Sequence, residues 1–142
     1  MVSNNNNFEN YSDEELKLML AIGMHDDNEK AKDNFMHFVK KTWPEFIDGY
    51  HHNILAKKFE EIAEGKLKRL IVNMPPRHTK SEFASYLLPA WMVGRDPKLK
   101  IIQATHTGEL AVRFGRKAKN LIDRDWETSK MQTQTLNVLV AC

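Results

Sequence analysis

The residues best suited to chemistry sit together in Asn73-Met74-Pro75-Pro76-Arg77-His78-Thr79-Lys80-Ser81. A Lys-Ser pair that closes a tight loop and opens a helix is the arrangement that grips nucleotide phosphates. The ammonium reaches the β and γ phosphates, and the hydroxyl joins a Mg²⁺ shell. N–H groups at the helix start, with the positive end of the helix dipole, favour the same anion. Arg77 adds a second cation able to pair with phosphate oxygens in bidentate fashion, or to act in cis on charge that develops during transfer. The usual pattern, GxxxxGK[ST], has glycines where this chain has Met74 and Thr79. Pro75 and Pro76 carry no N–H, so cradling amides begin at Arg77, and Thr79 brings a Cβ close to the phosphates. The bland alternative is a strand-to-helix turn holding a Lys-Ser pair and a solvated arginine.

The flanking elements must place this loop. Residues 67–73 read as a strand apolar enough for a buried parallel sheet. Residues 82–93 read as a helix with Phe83, Tyr86, Leu87, Ala90 and Trp91 on one face, kinked or shortened by Pro89. Gly94 and Asp96-Pro97 make a turn. Residues 99–105 give a second strand, and Leu110, Phe114, Ala118, Leu121 and Ile122 mark a further helix. The β-loop-α-turn-β-α order predicts a three-layer α/β fold with a parallel sheet.

Upstream the chain reads as helical. Ser12 and Glu15 form a capping box before a helix running to about Ile22, with Gly23 near its end. A second helix spans residues 29–42 and stops at Trp43-Pro44. Asp48 caps a third, from about Gly49 to Glu64, and Gly65 stands where a left-handed C-terminal cap is expected. The resulting division is a disordered tail over 1–12, a helical segment over 13–66 and a partial α/β core over 67–142. Residues 136–141 have the composition of another strand. With so few strands, the sequence is expected to be an N-terminal piece of something longer, or to carry a shifted reading frame near its end.

At 142 residues there is room for about one domain. No apolar run approaches the roughly 20 residues needed to span a bilayer, and the Asn-rich start has no signal core. The single cysteine, Cys142, excludes an intrachain disulfide or thiolate metal site. Charge is uneven. Residues 1–64 hold 7 Lys/Arg and 13 Asp/Glu, a net of −6, whereas residues 65–142 hold 14 and 6, a net of +8. The basic half suits an anionic partner, or solvated helix faces. Arg113, Arg116, Lys117 and Lys119 lie on or near one helix and admit the same two readings. Trp43, Trp91 and Trp126 read as core or interface residues.

The run IVNMPPRHTKSE resembles the deviant Walker A segment of tailed-phage terminase large subunits, which often reads PPRHGKS. The likeness continues upstream in His51-His52-Asn53-Ile54 and Glu64-Gly65-Lys66-Leu67-Lys68-Arg69-Leu70. Downstream it takes in Pro89-Ala90-Trp91, Gly94-Arg95-Asp96-Pro97, residues 101–106, and the helix with Ala111, Phe114, Gly115 and Arg116. It covers about residues 35–123, with Thr79 departing from the commoner glycine. The resemblance implies a partial P-loop NTPase of the additional-strand class, in which ATP hydrolysis drives DNA into a preformed capsid. ATP and Mg²⁺ are the implied cofactors. Double-stranded DNA, the portal protein, a small terminase subunit and a homo-oligomeric ring are the implied partners. The implied location is the host cytoplasm and, transiently, the procapsid portal, with no membrane.

On this reading Arg77 and Lys80 act on the phosphates, with His78, Thr79 and Ser81 completing the loop and the Ser81 hydroxyl on Mg²⁺. His51 or its neighbour His52 stands near the adenine end; a solvated helix-start histidine is the alternative. His78 and His106 admit a ligand contact or a packing role. Hydrolysis also needs an apolar strand ending in Asp, usually followed by Glu. Asp123 reads as a surface residue at a helix end instead, and no carboxylate cluster suits a nuclease. Two other functions fit the same sequence: a non-catalytic truncated module that binds DNA or other subunits, and another P-loop ATPase such as a helicase or small kinase.

Overall fold

A computed structural model describes residues 11–125. Its elements are α1 (Asp13–Asp33), α2 (Phe35–Thr42), α3 (Tyr50–Ala63), α4 (Lys80–Glu82), a π-helical turn (Phe83–Leu87), α5 (Leu88–Arg95) and α6 (Gly108–Asp125). Residues 1–10 of the tail expected over 1–12, Trp126, the strand expected at 136–141 and Cys142 lie outside the described residues, whereas Ser12, at the end of that tail, is the ordered N-cap of α1.

Local chemistry explains most of the helix ends. Ser12 and Glu15 make the reciprocal capping box that opens α1. Gly23 does not end this helix: a mid-helix glycine costs about 1 kcal/mol relative to alanine, too little to break a 21-residue helix. The break falls at Asn34, whose extended backbone closes α1 while its Oδ1 accepts from His37 N–H and opens α2. At α3 the N-cap is Gly49, not Asp48, which instead pairs with Lys40 at 2.8 Å. Gly65 takes the left-handed conformation (φ 73°), and the Lys66 N–H reaches the Glu61 carbonyl at 2.9 Å, closing α3 in the manner of a Schellman cap.

The core is aromatic. Phe35 is fully buried and touches Phe59, Phe83 and Trp91, its ring centroid 5.6, 5.6 and 5.3 Å from theirs in edge-on contacts. One side chain thereby ties α2 to α3, to the π turn and to α5. Two polar contacts reinforce it, the first half-buried and the second buried. Glu60 Oε1 accepts from Phe35 N–H at 2.9 Å, and Trp91 Nε1–H donates to the Ala31 carbonyl at 2.8 Å. By contrast the first half of α1 leaves Leu18, Leu20, Ile22 and Met24 exposed.

The expected α/β architecture is overturned. Among the described residues there is no β-strand and no sheet; the regular structure is all helical. Residues 67–73 and 99–105, read as parallel strands, run without regular secondary structure. Burial still alternates along them: Leu70, Val72 and Met74 are half-buried, with Ile71 and Asn73 exposed between them, and Ile101, Gln103 and Thr105 alternate with Ile102 and Ala104. The side chains therefore follow the period of two that the sequence shows. A strand also needs a neighbour whose N–H and C=O groups complete a ladder, and neither segment has one among the described residues.

Pro89 leaves its mark as a change of helix type. Leu88 N–H donates to the Phe83 carbonyl five residues back, the π spacing, and Pro89 sits in the first turn of α5. Four residues before Pro89 stands Ser85, whose carbonyl would face a ring nitrogen without hydrogen. Gln103 Nε2 donates to that carbonyl at 3.0 Å, pinning residues 99–105 to the helix.

Candidate functional site

The 73–81 loop leads directly into α4, the π turn and α5, which run end to end from Lys80 to Arg95. Two non-glycine residues of the loop have positive φ, Arg77 at 65° and Thr79 at 56°. For Thr79 this is costly, because the left-handed region brings Cβ against the following carbonyl at roughly 1–2 kcal/mol, and a β-branched side chain is rarely found there. Thr79 is also the N-cap of α4, where an extended backbone is usual. In this conformation its side chain makes no cap hydrogen bond, and its carbonyl accepts the first helical bond, from Phe83 N–H at 3.0 Å. The opening amides of the helix thus have no side-chain cap, which is what an anion-binding helix start requires.

Lys80 turns back over the loop and donates from Nζ to the Met74 carbonyl at 3.2 Å. The ammonium therefore sits across the loop from its own backbone. Ser81 is exposed next to it. Lys80 and Ser81 line an open cavity of about 400 Å³ with Phe59, Ile62, Leu70, Val72, Ala84 and Ser85. Arg77 and His78 are exposed at the loop tip, with His78 Nδ1–H donating to the Pro76 carbonyl at 2.9 Å.

The start of α3 meets the loop through histidines. His51 is exposed and its ring lies 5.7 Å from that of His78 and 3.8 Å from that of His52. His52 is only 6% exposed and stacks on Phe83, 5.2 Å between centroids, with Phe46 edge-on at 4.9 Å. Its Nδ1 accepts from Gly49 N–H at 2.9 Å, the part a glutamate plays in a capping box. Nδ1 thus carries no proton, so the hydrogen is on Nε2, which faces Thr79 Oγ1 at 2.7 Å and donates to it. The hydroxyl in turn donates to the His78 carbonyl at 2.7 Å. Burial, then the neighbouring His51, hold the His52 imidazole below the usual histidine range, while Asp48 pulls weakly the other way. Among the sequence candidates His51 meets His78, whereas the hydrogen bond to the loop comes from His52. Apart from its place beside His51, nothing in the sequence distinguishes it.

Glu82 follows Ser81, and its Oε2 is buried without a hydrogen-bond partner. Its negative charge, after burial itself, raises the phenol of Tyr86 one turn on. The Lys117 ammonium lies over the Tyr86 ring at 4.8 Å. Arg113, Arg116 and Lys117 line a separate groove along α6, of about 470 Å³, which Lys119 does not join. His106 is exposed in the bend before α6. Asp123 is exposed within the last turn of α6.

Among the described residues no three His, Cys, Asp or Glu side chains gather as a metal site, and no helix is long and apolar enough to cross a membrane. A Mg²⁺ ion held mainly by phosphate oxygens and water asks little of the protein. The exposed Ser81 hydroxyl beside Lys80 fits that limited role. Comparison of the chain with protein-family models, with curated proteins and with solved structures finds no match.

Proposed function

We propose that this chain is the ATP-binding part of a DNA-packaging motor of the terminase large-subunit kind. In the full-length protein, ATP hydrolysis would drive translocation of double-stranded DNA. The observation that carries the proposal is the position of Lys80: it folds over the loop onto the Met74 carbonyl at the uncapped start of a helix, with Ser81 exposed beside it. A phosphate arriving there would take the ammonium from a neutral carbonyl to an anion, the stronger partner. The sequence likeness over about residues 35–123 supplies the rest. The proposal concerns the loop and its neighbours.

In this assignment Lys80 and Arg77 hold the β and γ phosphates, with the amides of His78, Thr79 and Lys80 around them. Ser81 joins the Mg²⁺ shell, and His51 stands at the base end of the nucleotide. Mg²⁺ would supply charge neutralisation across the phosphates when bound. The portal protein, the small terminase subunit and further copies in a ring are the partners the same proposal assigns. The same proposal assigns the work to the host cytoplasm and, transiently, to the procapsid portal.

Calorimetric titration of the 142-residue chain with Mg-ATP is the direct test, run beside Lys80→Ala with both proteins checked for helicity by circular dichroism. Binding by the first and a loss of about tenfold or more in the second, about 1.4 kcal/mol, is expected. Equal affinity in two folded proteins overturns the assignment.

One observation favours a second role for another surface. Arg113, Arg116 and Lys117 share the α6 groove, a cationic surface suited to a phosphate backbone or a neighbouring acidic subunit. If this surface alone carries the activity, DNA affinity falls steeply with salt and is indifferent to ATP and to Lys80→Ala.

A further inference from the structure

We infer that His52 is the positioning residue of the 73–81 loop, holding Thr79 in a left-handed conformation that a glycine would adopt unaided. Its consequence for nucleotide binding rests on the phosphate-loop proposal above; the clamp itself does not.

The usual loop has glycine at position 79 because the backbone must turn with positive φ there. This chain places a β-branched residue at that point, and its φ is still 56°. Something must hold it, and among the described residues the only side chain of another element bonded to Thr79 is His52. The bonds run one way: Gly49 N–H to Nδ1, Nε2–H to Thr79 Oγ1, and the hydroxyl to the His78 carbonyl. Each donor in the sequence has one acceptor, so the chain fixes the imidazole as neutral and as the Nε2–H tautomer. Phe46 and Phe83 enclose the ring, which leaves it little freedom to turn.

The same residue serves both sides of the corner. Towards its own helix it caps the backbone of Gly49, and towards the loop it grips the hydroxyl of Thr79. The loop's backbone is thereby anchored to α3, not only to the helix it precedes. Protonation of His52 would set a second N–H against that of Gly49 and break the first bond. The charged or titratable groups acting on the ring are His51 from α3 itself, Asp48 from the approach to it and His78 from the loop.

A double-mutant cycle tests the inference on the full 142-residue chain. His52→Phe keeps an aromatic ring and removes both hydrogen bonds. His52→Gln places an amide N–H near the position of Nε2. With Thr79 present, His52→Phe is expected to weaken Mg-ATP binding by about tenfold, and in a Thr79→Gly background by less than about twofold, as coupled neighbours behave. His52→Gln should restore most of the affinity. The wild-type affinity should fall as pH drops below the ordinary histidine range, and the His52→Gln profile should be flatter. An equal loss in both backgrounds overturns the inference.

Nitrogen-15 spectra of the wild-type imidazoles supply a measurement that needs neither variant nor nucleotide. They should show His52 as the Nε2–H tautomer; an Nδ1–H tautomer overturns the clamp. If the wild-type chain binds no nucleotide, the phosphate proposal fails, and the cycle is read on denaturant midpoints instead. His52→Phe must then cost more stability with Thr79 than with Gly at that position, or the clamp fails too.

Discussion

The corner formed by α3 and the 73–81 loop, and the segments 67–73 and 99–105 that flank the helical run after it, solve the same problem differently. Both carry backbone that belongs to no helix. At the corner, side chains satisfy it: His52 accepts from Gly49 N–H, His78 donates to the Pro76 carbonyl, and Lys80 donates to that of Met74. Along the two segments, side chains instead anchor the chain by one face. Leu70 and Val72 pack against the core, and Gln103 reaches the Ser85 carbonyl. The outer face stays open, with Ile71 95% and Ile102 72% exposed. A loop can be completed by the residues around it, whereas a strand is completed only by another strand.

Four measurements sharpen or break that contrast. The largest effect should come from Phe83→Ala, because Phe83 is fully buried between Phe35 and the His52 ring and joins the corner to the aromatic core. A loss of about 3–5 kcal/mol in a denaturant melt is expected. A loss under about 1 kcal/mol would mean that the corner does not share the aromatic core.

Next comes Gln103→Ala, which removes the side-chain bond that ties residues 99–105 to the Ser85 carbonyl. About 1 kcal/mol should be lost, with faster amide exchange confined to that segment. Faster exchange at the 73–81 loop as well would show that the two regions are not independent.

A gentler effect follows from pH. The folded-state pKa of His52 lies below its ordinary value of 6.5. Above about 6.5 the imidazole is neutral in folded and unfolded chains, and its contribution is complete. As pH falls beneath that value the unfolded chain takes up its proton first, so stability declines until the folded-state pKa is passed. Denaturant midpoints against pH should drop more in the wild type than in His52→Gln, and parallel curves would show that His52 is not held neutral.

The smallest effect should be that of Ile71→Thr with Ile102→Thr. Exposed substitutions away from special features usually stay within about 0.5 kcal/mol. A larger loss would show that the open face is covered in solution.

Parts of this structure were legible beforehand and others were not, for reasons particular to each residue. The Ser12–Glu15 box and the Gly65 cap are local: their partners lie within a few positions, and the structure has both. Gly23 and Asp48 misled because each is only permissive. A glycine allows a helix to end without requiring it, and an aspartate caps only if the backbone starts the helix at that point. Here Asn34 and Gly49 hold those places. The Lys-Ser pair and the loop around it stood out by residue type. The role of His52 did not, because its hydrogen-bond partner Thr79 is 27 positions away.

By itself the sequence determined the apolar faces over residues 83–91 and 110–122, the period of two along residues 67–73 and 99–105, and the cluster of cations and hydroxyls at 77–81. Those features depend on residue types a few positions apart. Tertiary structure decided whether the alternating segments found a ladder, and among the described residues they did not. It also decided that Thr79 would take a glycine's conformation and that a buried histidine from α3 would meet it there. Backbone pairing and left-handed strain depend on what lies alongside in space, and neighbours in space are set only when the whole chain packs.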